Sequence, residues 1–433
     1  MLKAIRNLLE KTNNVKRSAY TWNALNAIIS ALQAPVILLV MNRTNGINDA
    51  GVFSIAFAIA TLMLYVGLYG LRRFQSSDMN EKYSFRDYHG MRLITCTGMI
   101  FVSLIYCLYG MLFSSYSMEK ALVIFMICIV KCCQAYSDVY HGRMQQKGRL
   151  DVATKSSSVR YTFEVVAYAV LLVLTHNLLI STFAFMAASI IGLLLTSVNA
   201  GRNYCRYRPA FKRNKIKGLL LEGFPLFASL FLNMYISNAP KYAIDSYLTD
   251  DIQAIYNMIF MPAFAVMLIA NFIFNPILTT YAELWLSEKR SQIIILKSHI
   301  KKQFVVIAGL TAVGLLIAFT IGIPVLSFIF GVDLGPYRYE LCVVMLGGGA
   351  LAYATYFSTV ITIIRMQETL IFCYGAVAIA AKVMSKFFVV NYGIMGAAAM
   401  YSVLMAILAV VLFAITWHGV KKESLRLKRL SKK

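Results

Sequence analysis

Charged residues are scarce in this 433-residue chain, and acidic ones are the scarcest. Charged side chains make up 14% of the sequence, with 19 Asp and Glu against 42 Lys and Arg. Soluble domains average about 25% charged residues, so this composition excludes an ordinary water-exposed surface. Hydrophobic residues make up 59% of the chain instead. The sequence therefore indicates a protein whose surroundings are largely lipid.

The sequence also lacks the common motifs of soluble catalysis. It has no GxxxxGK[ST] loop for nucleotide phosphates, no HExxH and no GxSxG. Cys128, Cys132 and Cys133 do not have a zinc-ligand spacing and are expected to pack as small apolar groups. The first 17 residues are polar and basic and contain no signal-peptide pattern. We expect no enzyme, no cofactor and no metal site.

Long apolar segments occupy most of the chain. Runs of about 20 apolar residues match the ~30 Å hydrocarbon core of a bilayer when they are helical. Strands of a membrane barrel are shorter and alternate in hydropathy, so an all-α polytopic membrane fold is predicted. About 12 transmembrane helices are expected, over residues 18–41, 50–71, 93–113, 119–140, 157–176, 178–199, 218–240, 252–277, 303–330, 340–364, 366–388 and 393–417.

The basic residues predict which way the helices cross. If both termini and the even-numbered loops are cytoplasmic, 34 of the 42 Lys and Arg lie on that side. Only five basic residues then lie outside: Arg43, Lys120, Lys241, Arg338 and Lys386. This is the positive-inside pattern. Anionic lipids on the cytoplasmic side account for the net charge of +23, so no nucleic-acid partner is expected.

The chain is predicted to be a duplication. A basic linker at 200–217 separates a six-helix lobe at 1–199 from a second at 218–417, and a basic tail follows at 418–433. Six helices per half give both lobes the same orientation, which is typical of parallel repeats in transporters. Pro35 and Pro225 each remove a helical hydrogen bond, which is compatible either with bending during transport or with a static kink.

A few ionisable residues fall inside the predicted membrane helices, where such groups are costly and usually functional. Lys131 lies near the middle of the fourth predicted helix, with Asp138 two turns later on the same face. Arg160 and Glu164 are one turn apart and can pair, and Lys382 lies in the eleventh helix. We predict Lys131, Arg160 and Lys382 as ligands of an anionic headgroup.

Each of these residues also has a purely structural interpretation. Arg160 and Glu164 could form a locally neutral pair, and Lys382 could extend to the interface as Lys386 is expected to do. Asp138 and Glu164 either titrate with a coupling proton or sodium ion or neutralise the nearby cations. Lys131 lies too near the middle of its helix for its side chain to reach the membrane interface, which favours a functional role.

Two stretches resemble the O-antigen (Wzx-type) polysaccharide flippases. Residues 238–245, NAPKYAID, with 253–257, QAIYN, and 260–262, FMP, are similar to the seventh and eighth helices of those proteins. Residues 70–78, GLRRFQSSD, with 83–85, YSF, are similar to the stretch after their second helix. These flippases share a superfamily with multidrug-and-toxin extruders (MATE) and peptidoglycan lipid flippases.

The resemblance implies a MATE-like transporter of the bacterial inner membrane. It would move an undecaprenyl-pyrophosphate-linked oligosaccharide to the periplasmic leaflet by alternating access, coupled to a proton or sodium gradient, beside polysaccharide polymerase machinery. The residues that match the two stretches are gate or loop candidates: Arg72, Arg73, Gln75, Asp78, Lys241 and Asp245. The first four could instead form an anchor and turn, and the last two an exposed pair contributing about 1 kcal/mol or less.

Two other functions are compatible with the sequence. A multidrug or cation antiporter of the same fold would need an acidic or aromatic pocket, whereas the deepest charge, on Lys131, is positive. A membrane-embedded glycosyltransferase or polymerase would need an acid–base constellation, normally with a large outer loop, and the predicted outer loops are short.

Overall fold

Nearly all of the chain is helical in the computed structural model, which describes residues 2–78, 81–114, 116–205, 208–274, 277–287 and 289–430. No strand occurs in those ranges. The chain divides into two compact units, Met1–Phe231 and Leu232–Lys433, and the division falls inside helix α10. The predicted lobe boundary at 200–217 stays a prediction.

The first unit contains nine helices in its described residues and the start of a tenth: α1 (Leu2–Glu10), α2 (Val15–Thr44), α3 (Ile47–Leu68), α4 (Leu71–Ser77), α5 (Phe85–Phe113), α6 (Met118–Gln146), α7 (Leu150–Thr175), α8 (Leu178–Leu193), α9 (Asn199–Gly201) and α10 (Arg213–Tyr247). A π-helical turn, Leu194–Val198, joins α8 to α9. Helix α6 contacts α3, α4, α5, α7 and α8, which makes it the central helix of this unit.

The second unit continues α10 and adds α11 (Asp250–Phe274), α12 (Leu278–Leu286), α13 (Arg290–Ile317), α14 (Ile323–Phe330), α15 (Arg338–Ile363) and α16 (Glu368–Leu430). A π-helical turn, Ala318–Gly322, joins α13 to α14. Helix α15 contacts α11, α12, α13 and α16 and is the central helix here. Gly393 interrupts α16 with a non-helical backbone (φ 54°, ψ −131°).

Eleven helical segments in the described part of the chain are long and apolar enough to cross a membrane. The last of them, Glu368–Leu427, is 60 residues long and contains both the eleventh and the twelfth predicted helices. The break at Gly393 coincides with the start of the predicted helix 393–417. The all-α membrane fold is therefore confirmed, with two predicted crossings joined end to end in α16.

Several helices begin earlier or end later than the hydropathy windows predicted. Helix α5 begins at Phe85 rather than residue 93, because Ser84 and Asp87 form a capping box at its start. Helix α6 continues to Gln146 and α7 begins at Leu150. An apolar window marks only the part of a helix that lies in hydrocarbon, since polar helix ends can be hydrated. Arg92, which the prediction placed in a loop, is consequently a helix residue.

A tight turn places helix α4 beside α6. Tyr69 and Gly70 both have left-handed backbones, with φ of 47° and 66°. A Cβ on Gly70 would lie 2.9 Å from Leu226, so glycine is required by both conformation and space. The Tyr69 ring stacks on Phe227 with centroids 4.6 Å apart. This turn ends α3 and begins α4, whose residues contact α6.

Candidate functional site

Lys131 is a buried cation on the central helix of the first unit. Lys131 is only 5% exposed. The ammonium lies 4.0 Å from the centroid of the Phe57 ring on α3 and 3.5 Å from Gln134 Oε1. Within the described ranges, no carboxylate oxygen lies within 4.0 Å of it. A cation–π contact and one long hydrogen bond offset only part of the cost of burying this charge.

Arg160 reaches the same central helix from α7. It is completely buried, and its Nη1 donates to the Cys133 carbonyl at 3.1 Å and to Ser137 Oγ at 3.0 Å. Its Nη2 has no hydrogen-bond partner among the described residues. Gly192 of α8 leaves room for the side chain, since a Cβ there would lie 2.8 Å from Arg160 Cγ. The guanidinium is therefore fixed in place with donor capacity to spare.

Glu164 connects α7 to α2. Its Oε1 lies 3.3 Å from Arg160 Nε, which confirms that the two residues pair one turn apart. Its Oε2 accepts a 2.7 Å hydrogen bond from Gln33 Nε2, two residues before Pro35 in α2. All three polar side chains are almost fully buried. Glu164 therefore holds Arg160 and a proline-containing helix at the same time.

We call Lys131, Arg160, Glu164 and Gln33 the Lys131 site. Arg160 bonds α6 at Cys133 and Ser137, two and six residues after Lys131 on the same helix. Two cations and one carboxylate leave the site with one net positive charge. A buried site of this composition favours an anion, because phosphate and carboxylate oxygens accept charge-assisted hydrogen bonds from Lys and Arg.

Asp138 does not pair with Lys131, although both lie on α6. Its Oδ1 is 3.2 Å from Arg72 Nη1, and its Oδ2 is 2.8 Å from Arg92 Nη2. Arg92 is fully buried and its Nη1 also donates to the Gly67 carbonyl at 2.5 Å, near the end of α3. Of the alternatives for Asp138, direct pairing with Lys131 is not what the structure shows, because two arginines from α4 and α5 already surround the carboxylate.

Three of the four candidates around α4 attach this helix and the following loop to their surroundings. Arg72 bonds Asp138 and also donates to Gln145 Oε1 at 3.2 Å. Gln75 is buried and donates to the Val139 carbonyl at 2.9 Å. Asp78 accepts hydrogen bonds from the backbone of Lys82 and Tyr83 at 2.8 and 3.0 Å.

Arg73 lies in α4, but its side chain is outside the described part of the structure. Arg72, Gln75 and Asp78 thus connect α4 and the following loop to their neighbours by hydrogen bonds. A role of these residues in gating stays a prediction.

The loop between α4 and α5 carries an exposed carboxylate, that of Glu81. Glu81 Oε1 accepts a 2.8 Å bond from Arg143 Nη1 and lies 3.5 Å from Lys147 Nζ. The hydrogen bond and charge of Arg143 lower the pKa of Glu81 below its ordinary value. This cluster joins the loop to the end of α6, on the same helix as Lys131.

A family comparison identifies the protein class. The model of the family described as polysaccharide biosynthesis protein matches residues 18–281, which is more than half of the chain. The chain belongs to the polysaccharide biosynthesis protein family. The match includes all four residues of the Lys131 site, whereas Lys382 lies beyond it. No curated protein matches the chain in sequence.

Solved structures of MATE transporters have the same fold as this family member. A multidrug-resistance MATE transporter of the MOP superfamily in its inward-facing conformation has a TM-score of 0.65 at 12% identity, covering 93% of this chain and 96% of that one. A eukaryotic MATE transporter gives a TM-score of 0.62 at 12% identity, with 95% and 98% covered. The Vibrio cholerae transporter VcmN in its bent form gives 0.59 at 12% identity, with 98% and 99% covered. The chain is thus a multi-pass membrane protein, and its family and fold are those of transporters.

The candidates in the second unit have different surroundings from those in the first. Lys241 is 7% exposed in α10, with its ammonium 4.8 Å from the Phe260 ring centroid. Asp245 is partly buried one turn later. The alternative of an exposed Lys241–Asp245 pair is therefore wrong, because α10 extends to Tyr247 and buries Lys241 against α11. Lys382 is exposed on α16, and its role as a headgroup ligand stays a prediction.

Sequence reasoning missed two participants in the charged core of this family member. Arg92 was counted as a loop residue, although the Ser84–Asp87 capping signature would have placed it on a helix. His141 was not considered at all. Its Nε2 lies 2.9 Å from Ser197 Oγ and its Nδ1 lies 3.4 Å from Ser157 Oγ, which joins α6 to α7 and to the π-helical turn after α8. His141 directly follows the predicted helix 119–140, which contains Lys131, and this position was the signal that could have identified it.

Proposed function

We propose that the protein is a flippase for an undecaprenyl-pyrophosphate-linked oligosaccharide, an O-antigen or similar polysaccharide repeat unit. It would move this lipid from the cytoplasmic to the periplasmic leaflet of the bacterial inner membrane by alternating access. Membership of the polysaccharide biosynthesis family and a MATE-type fold support this proposal. The product would be passed to polysaccharide polymerase machinery.

The observation that carries the proposal is the excess of positive charge in the Lys131 site. Lys131 has no carboxylate within ion-pair distance among the described residues, and the neighbouring Arg160 has an unpartnered Nη2. A pyrophosphate would supply acceptor oxygens for both groups. Lys382 stays the third residue that we propose as a ligand of the headgroup.

Glu164 is the better of the two candidates for ion coupling. Asp138 is held between two arginines, one of them fully buried, so both of its carboxylate oxygens already have cationic partners. Glu164 has one arginine and one neutral amide as partners. We propose that Glu164 exchanges a proton or a sodium ion during the cycle, and that this exchange alters its hold on Arg160.

A multidrug or cation antiporter is the alternative function, since the structures with this fold include multidrug transporters. A cationic substrate would need a surplus of negative charge. In the described core of the first unit, however, Asp138 and Glu164 are both paired with arginine.

Deletion of the gene separates the two functions. The flippase proposal expects lipid-linked oligosaccharide to accumulate on the inner leaflet, inaccessible to reagents added from the periplasm, with drug resistance unchanged. Normal exposure of the oligosaccharide together with increased drug sensitivity would favour the antiporter.

A further inference from the structure

The second unit contains an apolar pocket of about 340 Å³. Its walls come from α11, α13, the π-helical turn Ala318–Gly322, α14 and α15. Every residue that lines it is apolar or glycine. It is unrelated to the Lys131 site, which lies entirely in the first unit.

Irregularities in the helices create this space. Pro262 lies within α11 and removes one backbone hydrogen bond at the pocket wall. Gly314 and Gly322 also line the pocket. A Cβ on Gly314 would lie 3.0 Å from Met345 Cε, and one on Gly322 would lie 3.0 Å from Leu341 Cδ2. Larger residues at either position would narrow the pocket.

The pocket is suited to hydrocarbon rather than to water. Apolar cavities of about 150 Å³ stay dry and bind small apolar molecules, and this one is more than twice as large. Three of its wall residues on consecutive turns are about half exposed: Ile317 at 50%, Ile321 at 55% and Val325 at 46%. The pocket is therefore open along one side of a membrane-crossing segment, where lipid chains can enter.

A cation lies at one end of the pocket. The Arg338 guanidinium carbon is 5.9 Å from the ring centroid of Phe319, which is next to the lining residue Ala318. Arg338 is also one turn before the lining residue Leu341. It is exposed and forms no salt bridge with any described residue. The sequence predicts that Arg338 lies on the outer side of the membrane.

We propose that, once the headgroup has left the Lys131 site, this pocket binds the polyprenyl chain of the lipid-linked substrate, with the phosphate of that lipid at Arg338. The apolar walls complement the chain and the guanidinium complements the phosphate. The wall from Leu310 to Val325 is about 22 Å long at 1.5 Å per residue, which exceeds half of a ~30 Å hydrocarbon core. An ordinary acyl chain stays in one leaflet, whereas a polyprenyl chain is long enough to follow this wall. The inference depends on the proposed function.

The test uses the full-length chain in liposomes and two photoreactive diazirine probes, polyprenyl phosphate and phosphatidylglycerol. Polyprenyl phosphate is expected to label residues of α13 and α15 at the pocket. Ile317→Trp fills the pocket and is expected to lower this labelling about tenfold, which corresponds to about 1.4 kcal/mol. Arg338→Gln is expected to lower it about threefold, as for one exposed charge pair.

Leu316→Trp is the matched control. Leu316 is the neighbouring residue on α13, is 64% exposed and does not line the pocket. The control variant is expected to keep wild-type labelling, and it also reveals any general effect of tryptophan on folding or insertion.

Three results would overturn the inference: equal labelling by phosphatidylglycerol, labelling outside the pocket, or equal effects of the two tryptophan variants. Each can occur while the wild-type protein still exports polysaccharide, so the proposed function would survive. A wild-type chain that binds polyprenyl phosphate in the pocket but does not export polysaccharide would contradict the proposed function instead.

Discussion

The central helices of the two units have the same place in the order of membrane-spanning segments, but they bury different kinds of residue. Helix α6 is the fourth membrane-spanning segment of the chain and α15 is the fourth counted from α10, and each contacts most helices of its own unit. Helix α6 buries Lys131, Asp138 and His141. The residues that α15 buries are apolar, aromatic or glycine.

The same difference holds for the two units as wholes: among the described residues, one buries many charged side chains and the other buries almost none. The first unit concentrates buried charge, including Arg92, Lys131 and Arg160. In the described part of the second unit, Lys241 is the one buried charged residue, and the notable cavity is apolar. An amphiphilic substrate requires both chemistries, since its head and its chain prefer different surroundings.

The strongest test of this comparison removes the carboxylate that pairs with Arg72 and Arg92 in the first unit. Asp138→Ala leaves Arg92 buried without its ion pair, which is expected to cost about 3 kcal/mol of stability. The thermal unfolding midpoint of the purified protein measures this loss. Glu119→Ala changes an exposed carboxylate at the start of the same helix and serves as the control. Equal midpoints for the two variants would contradict a structural role of Asp138.

Removal of the deepest cation is expected to have the next largest effect. Lys131→Ala should lower surface polysaccharide about thirtyfold or more, by analogy with the loss of one partner from a buried charged contact. Lys386→Ala removes an exposed lysine from α16 and should leave export unchanged. Surface polysaccharide is measured together with the amount of protein in the membrane. Full export by the Lys131 variant would exclude this residue from the mechanism.

Substitution of Glu164 should change coupling more than stability. Glu164→Gln keeps a hydrogen-bond acceptor for Gln33 but removes the ionisable group, so we expect transport to lose its dependence on the proton or sodium gradient. The rate at a saturating gradient should fall less than the dependence on the gradient does. Transport into vesicles at several imposed gradients measures this dependence, with Asp138→Asn as the comparison. An unchanged gradient dependence in Glu164→Gln would assign Glu164 only to holding Arg160.

The smallest expected effect concerns the loop before α5. Arg143 lowers the pKa of Glu81, so the ionised carboxylate stabilises the folded state. This contribution is complete above the unfolded-state pKa and is lost as the pH falls through the lowered folded-state pKa. Because the Glu81 side chain is 44% exposed, we expect about 0.5 kcal/mol or less at neutral pH. Unfolding of Glu81→Gln at pH 7 and pH 3 checks the sign, and a larger difference at pH 3 would contradict it.

The sequence predicted the fold and part of the site because hydropathy and helical spacing are local signals. Arg160 and Glu164 pair as their spacing indicated. The contacts of Asp138 with Arg72 and Arg92 could not be predicted in this way, because they join three helices that are distant in the chain. The burial of Lys241 was missed for another reason: a hydropathy window ends at a lysine even when the helix continues.

The central claim is that the Lys131 site binds the anionic head of a lipid-linked substrate. The most direct measurement is the binding of undecaprenyl pyrophosphate to the full-length chain in nanodiscs, comparing the wild type with Lys131→Gln and Lys386→Gln. Our account predicts that Lys131→Gln weakens binding about tenfold or more, while Lys386→Gln binds as the wild type does. Equal affinities for all three proteins would contradict it.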